Sequence, residues 1–347
     1  MRPQLTRIHR RGCCAAAAFI LALAAAWESR ADTVYVSNYG SDTIEKFTSG
    51  GAGSVFAHTG LSSPFGLALD SAGNLYVANY GDNTIQKFTP GGVGSVFANA
   101  GLNHPTGLAF DSAGNLYAAN SINNTIQKFT PAGVGSVFAT NGLNLPRGLA
   151  FDASGNLYAA NYGDHTIRKF TATGIGSVFA SNSLSSPFGL AFDIAGNLYV
   201  ANSGDNTLAK FTPAGAGSVF ATGTDPHGLA FDSAGNLCAA DYSFNTVERF
   251  SSGGVSSIFA NTGLNGPMFI AIQPDPAARP TLSAAQSGNK LILSWPTNWA
   301  GFTLQSSLSL TPPVAWTDSS NTPAVLGTQL TVTNTISGNR RFYRLKK

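Results

Sequence analysis

The sequence predicts an all-β chain: a six-bladed β-propeller closed by a split blade, followed by a small β-sandwich. Three observations predict it. A unit that starts Pro-x-Gly recurs at Pro64, Pro105, Pro146, Pro187 and Pro226, with a degenerate copy at Pro267, at spacings of 41, 41, 41, 39 and 41 residues. Each unit holds four short strand patterns, and four strands in about 40 residues is one propeller blade. The two ends of the array are complementary fragments of one unit.

In chain order, residues 1–31 read as a secretory signal peptide. Arg2, Arg7, Arg10 and Arg11 form a basic start, and Cys13 to Ala26 is an apolar run too short to span a bilayer comfortably. Ser29-Arg30-Ala31 places small residues for cleavage after Ala31, with Ala26 as a second candidate site. The rest, with no membrane span of its own, is expected to be secreted or periplasmic. It keeps a single cysteine, Cys238, so no disulfide framework is available, and a bacterial periplasm or exterior suits it.

Residues 32–273 form the propeller. The fullest unit is PFGLALDSAGNLYVANYGDNTIQKFTPGGVGSVFA, Pro64 to Ala98. Its strands are expected at Gly66–Asp70, Leu75–Ala78, Thr84–Phe88 and Gly94–Ala98. Gly, Asn, Ser and Pro punctuate runs of β-branched and aromatic residues, as strands require. Thr33–Asn38 is a second strand with no first strand before it, and Pro267–Gln273 is a first strand with nothing after it. Together they complete a sixth blade and close the ring without an open edge.

GLALDSAGNLYVANYGDNTIQKF resembles an NHL repeat, and the match recurs in every unit. The resemblance implies kinship with gluconolactonase-like and streptogramin-lyase-like propellers. Related lyases of amidated peptides gather His side chains from Pro-His-Gly entries onto zinc. Only Pro226-His227-Gly228 matches here, and one imidazole does not make a zinc site. Related lactonases hold calcium with a Glu, Asn and Asp at the channel, whereas Glu45 and Glu248 fall on third strands away from the axis. No metal or other cofactor is therefore expected, with calcium and zinc disfavoured.

Pro274–Pro280 is a Pro-rich linker, and residues 281–347 read as a β-sandwich module similar to fibronectin type III domains. Leu291–Trp295, Phe302–Ser306, Leu330–Thr333 and Arg341–Leu345 are its strand candidates. Charge divides between the two parts. Residues 32–272 carry 8 basic and 14 acidic side chains; residues 277–347 carry 7 basic and 1 acidic. The acidic propeller argues against nucleic acid as a partner. The basic end (Arg340, Arg341, Arg344, Lys346 and Lys347) is either an ordinary solvated surface or an adhesive patch for anionic cell-envelope polymers.

Candidate functional residues come from the positions that vary among otherwise near-identical units. The residue between Pro and Gly enters each first strand where the blade meets the central channel. Around the ring it is Phe65, Thr106, Arg147, Phe188, His227 and Met268. A second set follows the second strand on the same face, called here the top: Tyr39, Tyr80, Tyr162 and Tyr242, with Ser121 and Ser203 at the other two places. Tyrosine supplies flat apolar area with a hydroxyl, suited to peptides or sugars. The recurrent Asp70, Asp111, Asp152, Asp193 and Asp232 are read as caps of the turn that follows.

Two functions fit. One is a monomeric, non-catalytic binding or scaffold propeller for a peptide, protein or carbohydrate on its top face. The other is a lactonase- or lyase-like enzyme in the central channel, with Arg147 holding a carboxylate and His227 as base. Against the second, no residue is expected to orient His227.

Overall fold

The computed structural model describes residues 32–274, 282–287, 290–296, 303–307, 317–319, 321–326, 329–335 and 342–346. The signal-peptide reading and the linker residues 275–280 lie outside them, as do Arg340, Arg341 and Lys347. The described residues fall into two compact units, and they contain no helix.

In the larger unit, six four-stranded antiparallel sheets are each ordered from first strand to fourth. Blade 1 has strands Pro64–Leu69, Leu75–Asn79, Thr84–Phe88 and Gly94–Ala98. Blades 2 to 5 repeat it from Pro105, Pro146, Pro187 and Pro226. Blade 6 is split as expected: Pro267–Gln273 pairs antiparallel with Thr33–Asn38, which continues to Thr43–Phe47 and Gly53–Ala57. First strands contact one another around a closed ring. Burial falls from axis to rim. Leu75–Asn79 is buried throughout, whereas Gly94, Ser95 and Val96 on the fourth strand are exposed.

The first strand begins two residues earlier than the sequence pattern suggested, because Pro64 already pairs with Asn79. The register then slips, so that Leu67 meets Val77. Such a bulge re-aims the side chains within it. Phe65 and Gly66 are those residues, and the same slip recurs at the other entries. Gly66 has a packing reason to be glycine: a Cβ there would lie 1.9 Å from the Thr106 carbonyl oxygen of the next blade. Glycine lets neighbouring first strands touch backbone to backbone.

Polar side chains hold each blade by repetition. Asp70 Oδ1 accepts the Ala72 and Asn74 amides, both at 2.9 Å, and its Oδ2 accepts Asn74 Nδ2 at 2.7 Å. Gly73, at φ 80°, turns the chain there. The turn reading of this Asp therefore holds, and its low carboxyl pKa reflects those hydrogen bonds and nearby Lys87 overcoming partial burial. At the top, fully buried Asn79 donates to the Gly60 carbonyl (2.9 Å) and to Thr84 Oγ1 (3.0 Å). A residue in the left-handed region then latches onto the next blade. Asn83 Oδ1 accepts the His104 amide at 2.6 Å, and Asn124, Asn245 and Asp42 do the same elsewhere. Between blades, Tyr76 stands edge-on to Phe97 (4.9 Å) and Phe110 (5.0 Å), an arrangement that recurs around the ring. Each such pair adds about 0.5–1.5 kcal/mol beyond its buried area.

The smaller unit holds two small antiparallel sheets. One joins Ser283–Ser287, Lys290–Pro296, Gln329–Thr335 and Ala324–Leu326; the other joins Thr317–Asp318, Thr303–Ser307 and Phe342–Lys346. Leu293, Trp295, Leu330 and Val332 of the first sheet cluster with Leu304 of the second.

Candidate binding site on the top face

Because the bulge aims each entry residue inward, Phe65 of blade 1 and Phe188 of blade 4 meet across the axis from opposite blades. Their rings stack at 5.9 Å. Phe269 stands where the other blades have glycine, and packs 6.3 Å from Phe65 and 5.7 Å from Phe188. All three are buried, as is Met268. The central channel is thus filled at this level.

The six entry residues divide accordingly. Thr106 is fully buried and donates to the Pro146 carbonyl at 2.9 Å, so it ties blades together. Phe65, Phe188 and Met268 form the plug. Arg147 and His227 retain partial exposure, on either side of Phe188. The tyrosines surround them: Tyr80 stacks on Phe65 at 5.0 Å, Tyr39 meets it edge-on at 5.7 Å, and Tyr242 lies 5.0 Å from His227.

Arg147 is the most unusual group. Its guanidinium carbon lies 5.3 Å from the Tyr162 ring centroid, 5.5 Å from Phe65 and 5.6 Å from Phe188. Cation–π attraction of about 0.5–2 kcal/mol per ring offsets part of its desolvation. Among the described residues no carboxylate forms an ion pair with it, and its Nε is buried without a hydrogen-bond partner. Burial pulls its pKa below the ordinary arginine value, while the Tyr80, Tyr162 and Tyr39 hydroxyls work in the opposite direction.

His227, contrary to expectation, is oriented. Its Nδ1 lies 3.2 Å from the Asp225 carbonyl and 3.7 Å from the Asp225 carboxylate. A carbonyl only accepts, so this hydrogen bond needs the proton on Nδ1 and leaves the Nε2 lone pair as an acceptor. Burial lowers the His227 pKa, with the Arg147 charge adding to it and Asp225 opposing. Asp225 is in turn held by the Ser243 hydroxyl. A signal for Asp225 was present in the sequence, because the connection into blade 5 is two residues short and Asp225 ends it, whereas nothing in the sequence pointed to Ser243.

Asp82, Asp164 and Asp205, which follow the tyrosine positions, each accept the hydroxyl of the Thr two residues on. Glu45, buried on a third strand, packs beside Gly263. Among the described residues no three of His, Cys, Asp and Glu gather as a metal-binding cluster. Buried Cys238, its pKa pushed up to about 11 mainly by burial, is a core thiol.

The NHL repeat model matches residues 61–88, 102–129 and 143–170. The chain is a six-bladed propeller that carries NHL repeats. No curated protein matches it. Among solved structures, the NHL-repeat propeller resembles a chain of the nidogen/laminin complex at 22% identity and TM-score 0.64, over 70% of this chain and 98% of that one. It also resembles a catalytically inactive virginiamycin B lyase from Staphylococcus aureus with quinupristin, at 14% identity and TM-score 0.55, over 78% and 94% of the two chains. A gluconolactonase from Xanthomonas campestris shares 17% identity and TM-score 0.51, over 66% and 82%. At these identities the likeness is one of fold.

Proposed function

We propose that this is an exported binding or scaffold propeller, without catalysis, that recognises a peptide, protein or carbohydrate on its top face. One observation carries the reading. Two of the positions that vary among near-identical blades, Arg147 and His227, stay partly exposed against the buried plug rings, with Tyr39, Tyr80, Tyr162 and Tyr242 beside them. Packing explains the repeated residues and the plug; it does not explain a partly exposed Arg and His set against it. A surface of large rings with few oriented polar groups suits recognition. In this reading residues 1–31 direct export, and the C-terminal sheets form a β-sandwich whose basic end adheres to anionic envelope polymers. The test is the full chain, with N-terminal sequencing of the exported form, on peptide and glycan arrays. Tyr39→Ala with Tyr242→Ala should abolish the array signal; signal that survives both would refute a top-face site.

A second reading, a lactonase- or lyase-like enzyme, draws support from the Asp225–His227 contact. His227 Nε2 would accept a proton, Asp225 would position the ring, and Arg147 would hold a carboxylate. Lactones and amidated peptides test it: turnover lost in both His227→Asn and Asp225→Asn would establish the enzyme over the binding module.

A further inference from the structure

Arg249, like Lys87, Lys128, Lys169 and Lys210, has an Asp within ion-pair distance, whereas among the described residues Arg147, Arg168 and Lys46 have none. Of these three, Arg147 is the one that stands against the plug rings Phe65 and Phe188. The acidic groups of the surrounding loops are engaged elsewhere. Asp82, Asp164 and Asp205 cap their own turns, Asp42 takes the Ser63 amide, and Asp225 holds His227 and Ser243. A guanidinium held by three rings and short of an anion is a preorganised half of an ion pair.

Resting on the proposed binding role of the top face, we infer that its ligand enters through a carboxylate on an apolar carbon, seated against the N–H fork of Arg147. The fork matches a planar carboxylate with two parallel hydrogen bonds. The rings of Phe65, Phe188 and Tyr162 offer apolar contact to the carbon that bears the carboxylate, whereas a phosphate dianion carries more charge into this partly buried aromatic site and costs more to desolvate. His227, on the other side of Phe188, supplies the neighbouring hydrogen-bonding group. Both a free peptide C-terminus and a small organic acid present this chemistry.

The test uses the full chain and matched probes. Benzoate, benzamide and phenyl phosphate are titrated by NMR, and one peptide library is printed twice, with free and with amidated C-termini. The expected result is binding of benzoate about tenfold tighter than benzamide or phenyl phosphate. Arg147→Met should lose that preference while melting no lower than wild type, and Arg147→Lys should keep part of it. A preference for free C-termini on the array identifies a peptide source; benzoate preference without it identifies a small acid. Equal binding of acid and amide, or an unchanged preference in Arg147→Met, overturns the carboxylate seat while leaving the top-face reading intact. Preference for phenyl phosphate overturns the carboxylate class. No binding by any probe or peptide overturns both.

Discussion

In blade 1 the second strand ends on Asn79, whose carboxamide donates twice and accepts once inside a fully buried site. In blade 5 the same place is held by Asp241, equally buried, which can only accept when ionised: it takes the Phe244 and Asp225 amides, both at 3.3 Å. Blade 5 also replaces Tyr76 with Cys238, Lys87 with Arg249 and Phe65 with His227. It is built on the same strands and gives up several of the contacts that repetition provides. The comparison teaches where this chain spends its regularity. Blade 1 is optimised for its neighbours, whereas blade 5 gathers ionisable groups at the face where Arg147 is unpaired.

Four substitutions would break or sharpen that contrast. The largest effect is expected for Gly66→Ala in the regular blade, whose new Cβ would meet the Thr106 carbonyl oxygen. Backbone must move, costing more than about 3 kcal/mol and lowering the melting midpoint by roughly 10 °C in thermal denaturation. Asn79→Ala should follow at about 2–3 kcal/mol, because it strands the Gly60 carbonyl and the Ser62 amide. Chemical denaturation reads it, and an unchanged midpoint would mean that the buried carboxamide is dispensable.

In blade 5 the sign reverses. Asp241→Asn should stabilise by about 1 kcal/mol at neutral pH, since burial, aided by Asp225, raises the Asp241 pKa above its ordinary 3.8. A carboxyl whose pKa is raised by folding binds its proton more tightly folded than unfolded. Wild type therefore gains on the Asn variant as pH falls through the folded pKa toward 3.8. The lowered pKa values of Asp70, Asp111 and Asp152 act oppositely, with stability lost as pH falls, but they are common to both proteins and cancel in the difference. Denaturation curves of the two chains across acidic pH measure it. The smallest effect is expected for His165→Asn, within about 0.5 kcal/mol. His165 Nδ1 already accepts the Ser186 amide at 2.7 Å in the place that Asn fills in blades 1 and 2, so a large loss there would contradict the latch.

Blade number, split closure and turn chemistry were legible in the sequence because each was written several times. Period, Pro-x-Gly and Asp-x-x-Gly-Asn report local geometry that one unit states and the next repeats. The plug was not legible. Phe269 stands in the sequence where the other units have glycine, and only the ring shows that it meets Phe65 and Phe188. Thr106 stood out by variation, yet its hydroxyl serves the neighbouring Pro146 carbonyl. Asp225 escaped notice because its contact with His227 depends on a shortened turn rather than on any repeated spacing. The three added strands of the smaller unit, Ser283–Ser287, Thr317–Asp318 and Ala324–Leu326, lacked the aromatic or long β-branched runs that mark a strand.

Closure of the ring joins Tyr35 to Gln273 across 238 residues, and the Ser37 hydroxyl receives the Phe269 amide across 232. A ribosome therefore releases blades 1 to 5 before the strand that completes blade 6 exists. Until Pro267–Gln273 arrives, Thr33–Asn38 keeps an unpaired edge, and the cylinder lacks the clasp that holds its first and last blades. Synthesis order makes the final strand a timer: the chain stays an open, threadable array until almost all of the propeller has been made.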